Sequence, residues 1–319
     1  MSTIYIDRKD VHVKLDGNAL AFYAGGERQG VVPIHPLERV VIVGNVLIET
    51  PVLHRLADER TGVIFLSGKK LVFRCMLHGR LHNNGILRVR QYEKSLTDFA
   101  PVTARDLVLR KIKGQRDFLD EARAGRPDLR LELTTAINVL EKVYGTVQEE
   151  TAGIERLRGM EGGASASYFA AFTTMFPESL DFNRRDRRPP GDPVNALLSL
   201  CYTMLHFEMV REIGMIGLDP VIGFYHQFDY GRESLACDLV EPYRPDVDRL
   251  VWELFRGRVF ASRDFAEDDE RPGCYLKKEA RKRFYPAYEE WAKAMRPFWT
   301  EEARTLARRI MNGQDPLSE

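Results

Sequence analysis

The sequence predicts an α+β protein, with a small β-rich N-terminal domain followed by a larger all-α C-terminal domain. Three observations lead there. Over the first ninety or so residues, short β-branched runs are separated by glycine and Asp-Gly turn signals. Beyond about Thr103 the apolar residues recur at helical spacing. The chain has 319 residues, 44% hydrophobic and 29% charged, a globular balance with material for two ordinary domains. The predicted division is 1–92 for the β-rich domain, 93–102 for a linker and 103–319 for the helical domain.

The elements can be justified in order. Val11, Val13 and Leu15 alternate with His12 and Lys14, Asp16-Gly17 follows, and Leu20 to Tyr23 completes a predicted hairpin. Gly25-Gly26 marks a second turn. Further strand candidates are Gly30–Ile34, Val40–Val43, Val46–Ile48, Val63–Leu66 and Leu71–Leu77. Thr50-Pro51 reads as an N-cap with proline in the first turn of a short helix ending near Arg60. Pro101 closes an irregular stretch. Helices are then predicted from about Thr103 through Phe118, over Leu131–Glu150, Asn195–Ile213 and Pro242–Arg258, and from Lys277 to Met311. The acidic run Asp264–Glu270 reads as a loop or a solvated helix end, and Gly313–Glu319 as a frayed terminus.

Composition narrows the function classes. The apolar runs are short, far below the roughly 18 residues a membrane span needs. The N-terminus has no basic and apolar leader pattern. Cys75, Cys201, Cys237 and Cys274 are far apart and form no CxxC pair, which argues against a zinc ribbon or a disulfide framework and fits a reducing cytoplasm. The 47 basic and 47 acidic residues cancel, so distribution matters more than net charge. Lys69 to Tyr92 holds six basic residues (Lys69, Lys70, Arg74, Arg80, Arg88, Arg90) and no acidic one. Arg184, Arg185, Arg187 and Arg188 form a second cluster. Either cluster is equally readable as solvated surface or as a phosphate-contacting patch.

Two motifs are decoys. Gly68-Lys69-Lys70 has neither the spacing nor the Ser/Thr of a phosphate loop and reads as a strand and turn. His82-Asn83-Asn84 lacks the second histidine of a nuclease signature and reads as a turn. More informative is Arg156 to Tyr168, where Glu161 stands among Gly159, Gly162, Gly163, Ala164 and Ser165. Small neighbours let a backbone or a bulky substrate come close. The plain alternative is a glycine-rich helix junction with an incidental glutamate. In Gly217 to Pro245, His226 ends an extended apolar segment after Asp219-Pro220, and Ser234 can cap the next helix. On that helix Asp238 and Glu241 share a face among Leu235, Ala236, Leu239 and Val240. Carboxylates sharing a face repel unless a cation or proton lies between them. A Glu, a His and a second carboxylate form an oxygen–nitrogen donor set suited to Mn²⁺ or Mg²⁺.

Four ordered segments carry a family resemblance. They are Gly159-Met160-Glu161-Gly162, the stretch from Arg187 to Leu198 with Tyr202 behind it, Gly217 to His226, and Leu235 to Pro245. Together they resemble the CRISPR-associated integrase family that captures new spacers, over nearly the whole chain. The Tyr275-Leu276 and Arg281–Tyr288 stretch also resembles that family's C-terminal helix. The resemblance implies metal ligation by Glu161, His226 and Glu241, where some members have Asp at the last position, and an assisting role for Asp238. It implies a homodimer built mainly through the N-terminal domains, with two dimers flanking a small ferredoxin-like partner, the second-numbered CRISPR-associated protein, in a heterohexamer.

The expected chemistry is phosphoryl transfer, in which the 3′-hydroxyl of a short duplex attacks a phosphodiester at a repeat edge and a divalent ion stabilises the transition state. Water as nucleophile would make the outcome nuclease activity. Double-stranded and branched DNA are the expected partners, with phosphate contacts from Arg74, Arg80, Arg88, Arg90, Arg184, Arg185, Arg187 and Arg188. A non-catalytic DNA-binding scaffold and a general branched-DNA repair nuclease are the competing readings.

Overall fold

The computed structural model describes residues 2–68, 71–77, 82, 84–149, 153–186, 189–226, 228–268 and 271–312. Lys69, Lys70, Arg80, Asn83, Arg187 and Arg188 lie outside them. The chain divides into two compact units. One comprises 1–82 with 281–295, the other 83–280 with 296–319.

The first unit carries two four-stranded sheets. In one, β2 (Val11–Asp16), β3 (Ala19–Ala24) and β4 (Glu27–Pro33) form a meander, with β6 (Val46–Ile48) running parallel to β2 on its other side. The Asp-Gly signal is the β2–β3 turn, and Gly25-Gly26, both at positive φ, make the β3–β4 turn. In the other sheet β1 (Ser2–Ile6), β5 (Leu37–Val43) and β7 (Gly62–Leu66) are parallel, and β8 (Phe73–Leu77) closes the edge antiparallel. The lysine-containing decoy falls in the β7–β8 connection, where Ser67 and Val72 pair through their backbones. The helix α1 (Thr50–Asp58) turns Val52 and Leu56 into a core with Val13, Leu20, Ile34 and Val40. Burying each such side chain is worth about 1.5–3 kcal/mol. Within the same unit Tyr285 stacks on Tyr5 and donates to Asp7, and Arg281 donates to the Gly68 carbonyl.

The second unit is mostly helical: α2 (Gly85–Ser95), α3 (Phe99–Gly125), α4 (Arg130–Glu149), α5 (Ile154–Thr174), α6 (Pro193–Ile216), α7 (Ser234–Val240) and α8 (Arg244–Arg256), with the end of α9 (Lys278–Asn312). Helices α3, α4 and α5 pack on one another, and α3 also meets α8. Phe118 of α3 is clasped edge-on by Phe172 of α5 and Trp252 of α8, a fully buried aromatic centre that fixes how these helices cross.

Several local expectations are corrected. Residues 93–102 hold no extended linker, because α2 runs to Ser95 and α3 already starts at Phe99. Pro101 lies in the first turn of α3, where its missing N–H has no intrahelical partner to lose. Thr50 and Ser234 are the first helical residues rather than caps, and Glu49 and Glu233 precede them without a side-chain cap bond. The acidic run contributes a strand. β9 (Phe265–Asp268) pairs antiparallel with β10 (Arg271–Leu276), so the second unit is not all-α. Phe265 is the reason, since burying its ring against Phe255 and Phe260 outweighs the solvation of the carboxylates around it. Asp269 and Glu270 lie outside the described residues. No helix among the described residues is long and apolar enough to cross a membrane, and all four cysteines are free.

Candidate metal and phosphoryl-transfer site

The site is built around a loop that has little secondary structure of its own. Helix α6 ends at Gly217, whose φ of 98° only glycine adopts readily, and the chain turns back toward α7. Asp219 accepts from the Val221 N–H and from the Tyr92 hydroxyl. Gln91 of α2, fully buried, donates from one amide nitrogen to the carbonyls of Asp219 and Ile222, while its oxygen accepts the Asp219 N–H. At Gly223 the loop passes α7 so closely that a Cβ would lie 2.7 Å from Asp238 Oδ2 and 2.8 Å from the Ser234 carbonyl carbon.

That approach delivers three successive backbone N–H groups to one carboxylate. Phe224 and Tyr225 donate to Asp238 Oδ2 at 2.6 and 2.9 Å, and His226 donates to Oδ1 at 2.8 Å. His226 Nδ1 lies 2.7 Å from the same Oδ1. Asp238 is fully buried and a carboxylate accepts, so Nδ1 donates to it and Nε2 is the ring nitrogen left for a ligand. Nε2 faces Glu241 Oε1 at 4.0 Å.

Glu241 stands where α7 passes into the short turn Glu241–Tyr243 ahead of α8. Its Oε1 takes the Arg244 Nε–H at 2.8 Å and its Oε2 takes the Lys111 ammonium at 2.6 Å. Burial pushes this carboxyl up, but the charges of Arg244 and Lys111 and the lysine's hydrogen bond outweigh burial and hold it below the usual carboxylate range. Lys111, on α3, also donates to Glu161 Oε1, which in addition accepts from Ser165 Oγ at 2.8 Å. Glu161 projects from α5, and the positions of absent side chains at Gly159, Gly162 and Gly163 have no atom within 4 Å. Each interior glycine costs the helix about 1 kcal/mol relative to alanine. Packing does not require them, and by helical spacing they lie on the exposed side of α5, off the face that carries Glu161. Burial, then the charges of Glu161 and Glu241, push the Tyr225 phenol above its ordinary value.

The structure therefore gathers Glu161, His226, Asp238 and Glu241 around one spot. Glu161 and Glu241 meet there through a shared ammonium, and no three His, Cys, Asp or Glu side chains among the described residues stand at coordinating distance of one point as they are. The donor set nonetheless fits a divalent ion. Two carboxylates already converge on a positive charge, and a histidine tied at Nδ1 by a buried carboxylate aims Nε2 toward them. Sequence reasoning missed Lys111 and passed over Arg244. The one signal for Lys111 was its position four residues after Leu107 and four before Gln115, a lysine on the buried stripe of α3.

The arginines proposed from charge clusters divide. Arg74 and Arg90 are exposed, the latter paired with Glu93, and Arg184 is exposed and paired with Asp186. Arg88 donates to the Gly217 carbonyl at 3.2 Å. Arg185 donates to Asn195 and Ser199 and lies over the Tyr202 ring, whose other cationic neighbour is Arg244. Arg88 and Arg185 are thus engaged in holding the fold. Arg80, Arg187 and Arg188 lie outside the described residues.

Comparison with known proteins shows what the chain as a whole is similar to. The family model for the CRISPR associated protein Cas1 matches residues 4–290. A CRISPR-associated endonuclease Cas1 of Thermodesulfovibrio yellowstonii is 53% identical over 318 residues, covering 100% of both chains. Among solved structures, a Cas1 protein from Thermotoga maritima superimposes with a TM-score of 0.86 at 24% identity, covering 100% of each chain. A casposase bound to its integration product gives 0.83 at 20% identity, covering 99% of this chain and 92% of the other.

Proposed function

This chain belongs to the Cas1 family, and from that premise we propose that it is a divalent-metal-dependent DNA integrase and endonuclease of CRISPR adaptation. The observation that carries the reading is the meeting of Glu161 and Glu241 at one positive charge beside the outward Nε2 of His226. The endonuclease name of the 53% identical relative supports a reaction at phosphodiesters, and the likeness to a casposase on its product supports strand transfer as its form.

Glu161, His226 and Glu241 would hold a Mn²⁺ or Mg²⁺ ion, which when bound would supply Lewis-acid polarisation of the scissile phosphate. Asp238 keeps the imidazole proton on Nδ1, so that Nε2 remains a donor lone pair. Arg244 neutralises part of the carboxylate charge and fixes the rotamer of Glu241. The 3′-oxygen of the incoming strand forms a bond to phosphorus, and the bond from phosphorus to the resident 3′-oxygen breaks. Water in place of the 3′-hydroxyl gives hydrolysis. We further propose that the working assembly is a homodimer, two of which flank the small second-numbered CRISPR-associated protein. Exposed arginines, among them Arg74, Arg90 and Arg184, contact phosphates without reading sequence.

The test is strand transfer and its reversal on branched DNA with Mn²⁺, Mg²⁺ or a chelator. Glu161→Ala and His226→Ala should each lose at least about a hundredfold in rate, as should chelation, while both variants keep the wild-type circular dichroism spectrum. Undiminished transfer by either variant, or by the chelated protein, would sink the assignment. A protein that binds DNA tightly but never cleaves or joins it would be a scaffold instead.

A further inference from the structure

We infer that Lys111 is an internal stand-in for the divalent ion, holding Glu161 and Glu241 together in the metal-free protein and yielding that place when the ion enters; this rests on the metal-dependent reading above. The geometry points there. The ammonium donates to both glutamates, on the oxygens that neither Arg244 nor the His226-facing side of Glu241 uses. Lys111 is only 6% exposed, and it rises from the buried stripe of α3 between apolar neighbours such as Leu107 and Ile112. An ammonium in such a place persists only because it is paired.

The site needs a cation before any metal arrives. Glu161, Glu241 and Asp238 bring three negative charges, and Arg244 returns one. Without Lys111 two would remain unbalanced in a site where Glu241 and Asp238 are almost wholly buried. With Lys111 one remains. A lysine suits an exchangeable role, because its charge is a compact point on a flexible four-carbon stem, whereas the planar fork of an arginine would lock both carboxylates. An ammonium and a divalent ion repel each other, so both cannot sit between the same two oxygens. Lys111 therefore lowers the affinity of the site for metal while keeping the metal-free fold intact.

Lys111→Met and Lys111→Gln, purified with Mn²⁺ and then dialysed, test this. Lys113→Met, on the exposed face of the same helix, is the control. Two readouts are taken on DNA-free protein: the Mn²⁺ dissociation constant by calorimetry and by the spin-resonance signal of free Mn²⁺, and the thermal midpoint in chelator and in saturating Mn²⁺. Both Lys111 variants should bind Mn²⁺ about tenfold more tightly than wild type, as expected when a competing charge is removed. They should melt below wild type in chelator and recover most of the difference in Mn²⁺, while Lys113→Met follows wild type throughout. Equal or weaker Mn²⁺ binding by the variants overturns the inference and leaves the metal reading standing. So does a variant that stays unfolded with Mn²⁺ present, since the ion should replace the lost charge. Wild-type protein that binds no Mn²⁺, or whose binding is untouched by Glu161→Gln, overturns the metal reading and this inference with it.

Discussion

Replacing Asp238 by asparagine changes one atom and should disable His226. The aspartate accepts four hydrogen bonds on two oxygens: Phe224 and Tyr225 N–H on one, His226 N–H and its Nδ1–H on the other. Asparagine keeps one accepting oxygen and presents a donor in place of the other. If the amide nitrogen faced Phe224 and Tyr225, two buried N–H groups would lose their acceptor, at about 1–3 kcal/mol each. If it faced His226, only one backbone N–H would be orphaned, because the imidazole can move its proton to Nε2 and accept at Nδ1. The second arrangement is cheaper by about 1–3 kcal/mol and should prevail. Its consequence is chemical, since Nε2 then carries a hydrogen and has no lone pair for a metal. Asp238→Asn should thus lose only about 1–3 kcal/mol of stability in urea unfolding, yet lose metal affinity by about 10–100-fold or more. Nitrogen-15 spectra should show the His226 tautomer reversed. A variant with wild-type stability and wild-type Mn²⁺ affinity would refute this account of the loop.

Two further outcomes follow from the same region. Gly223→Ala places a methyl 2.7 Å from Asp238 Oδ2 and 3.0 Å from Leu235 N, so the loop must back away from α7. It should cost about 1–3 kcal/mol in urea unfolding and displace His226 enough to slow strand transfer at least about tenfold, whereas no change in either would mean the loop is not held where described. Asp248 gives a pH signature: it is buried, accepts from Tyr168 and Tyr202, and is pushed up to about 6 by burial against the pull of those hydroxyls. Its folded value lies above the unfolded 3.8, so its contribution is fully present below pH 3.8 and is lost as pH rises through 6. Relative to Asp248→Asn, wild type should therefore lose about 3 kcal/mol between pH 3.8 and 7, and a pH-independent difference between the two would contradict that placement.

The residues that meet at the candidate site were legible because they sit in unusual local company. A glutamate among glycines, a histidine closing an Asp-Pro turn and two carboxylates on one apolar helix face are each odd in isolation and informative in order. The strand meander was legible for a similar reason, since Asp16-Gly17 and Gly25-Gly26 are backbone instructions that tertiary context seldom overrides. Lys111 was not legible. On paper it is one of many charges in α3, and only the packing of α3 against α5 and the turn before α8 shows which of them is buried. The β9–β10 hairpin was hidden by its carboxylates, because the decisive contact is the fit of Phe265 against aromatic partners distant in sequence. Pro101 misled because proline ends helices in general but is tolerated in their first turn. The arginine clusters showed where charge concentrates, not that Arg185 would spend its guanidinium on Asn195.

The way Gln91 grips the segment 219–222 has a consequence for how this region can change. A primary amide has the same donor and acceptor pair as a peptide group, so one side chain plays the part of a missing neighbouring strand for a segment with no sheet to join. Much of its shape is thereby specified from outside the segment and through its main chain, with the Asp219 carboxylate adding bonds to the Val221 N–H and the Tyr92 hydroxyl. The side chains of Val221 and Ile222 are left free to vary without disturbing the histidine downstream, while the glutamine admits no substitute: asparagine is a methylene too short, and glutamate offers no hydrogen to the two carbonyls.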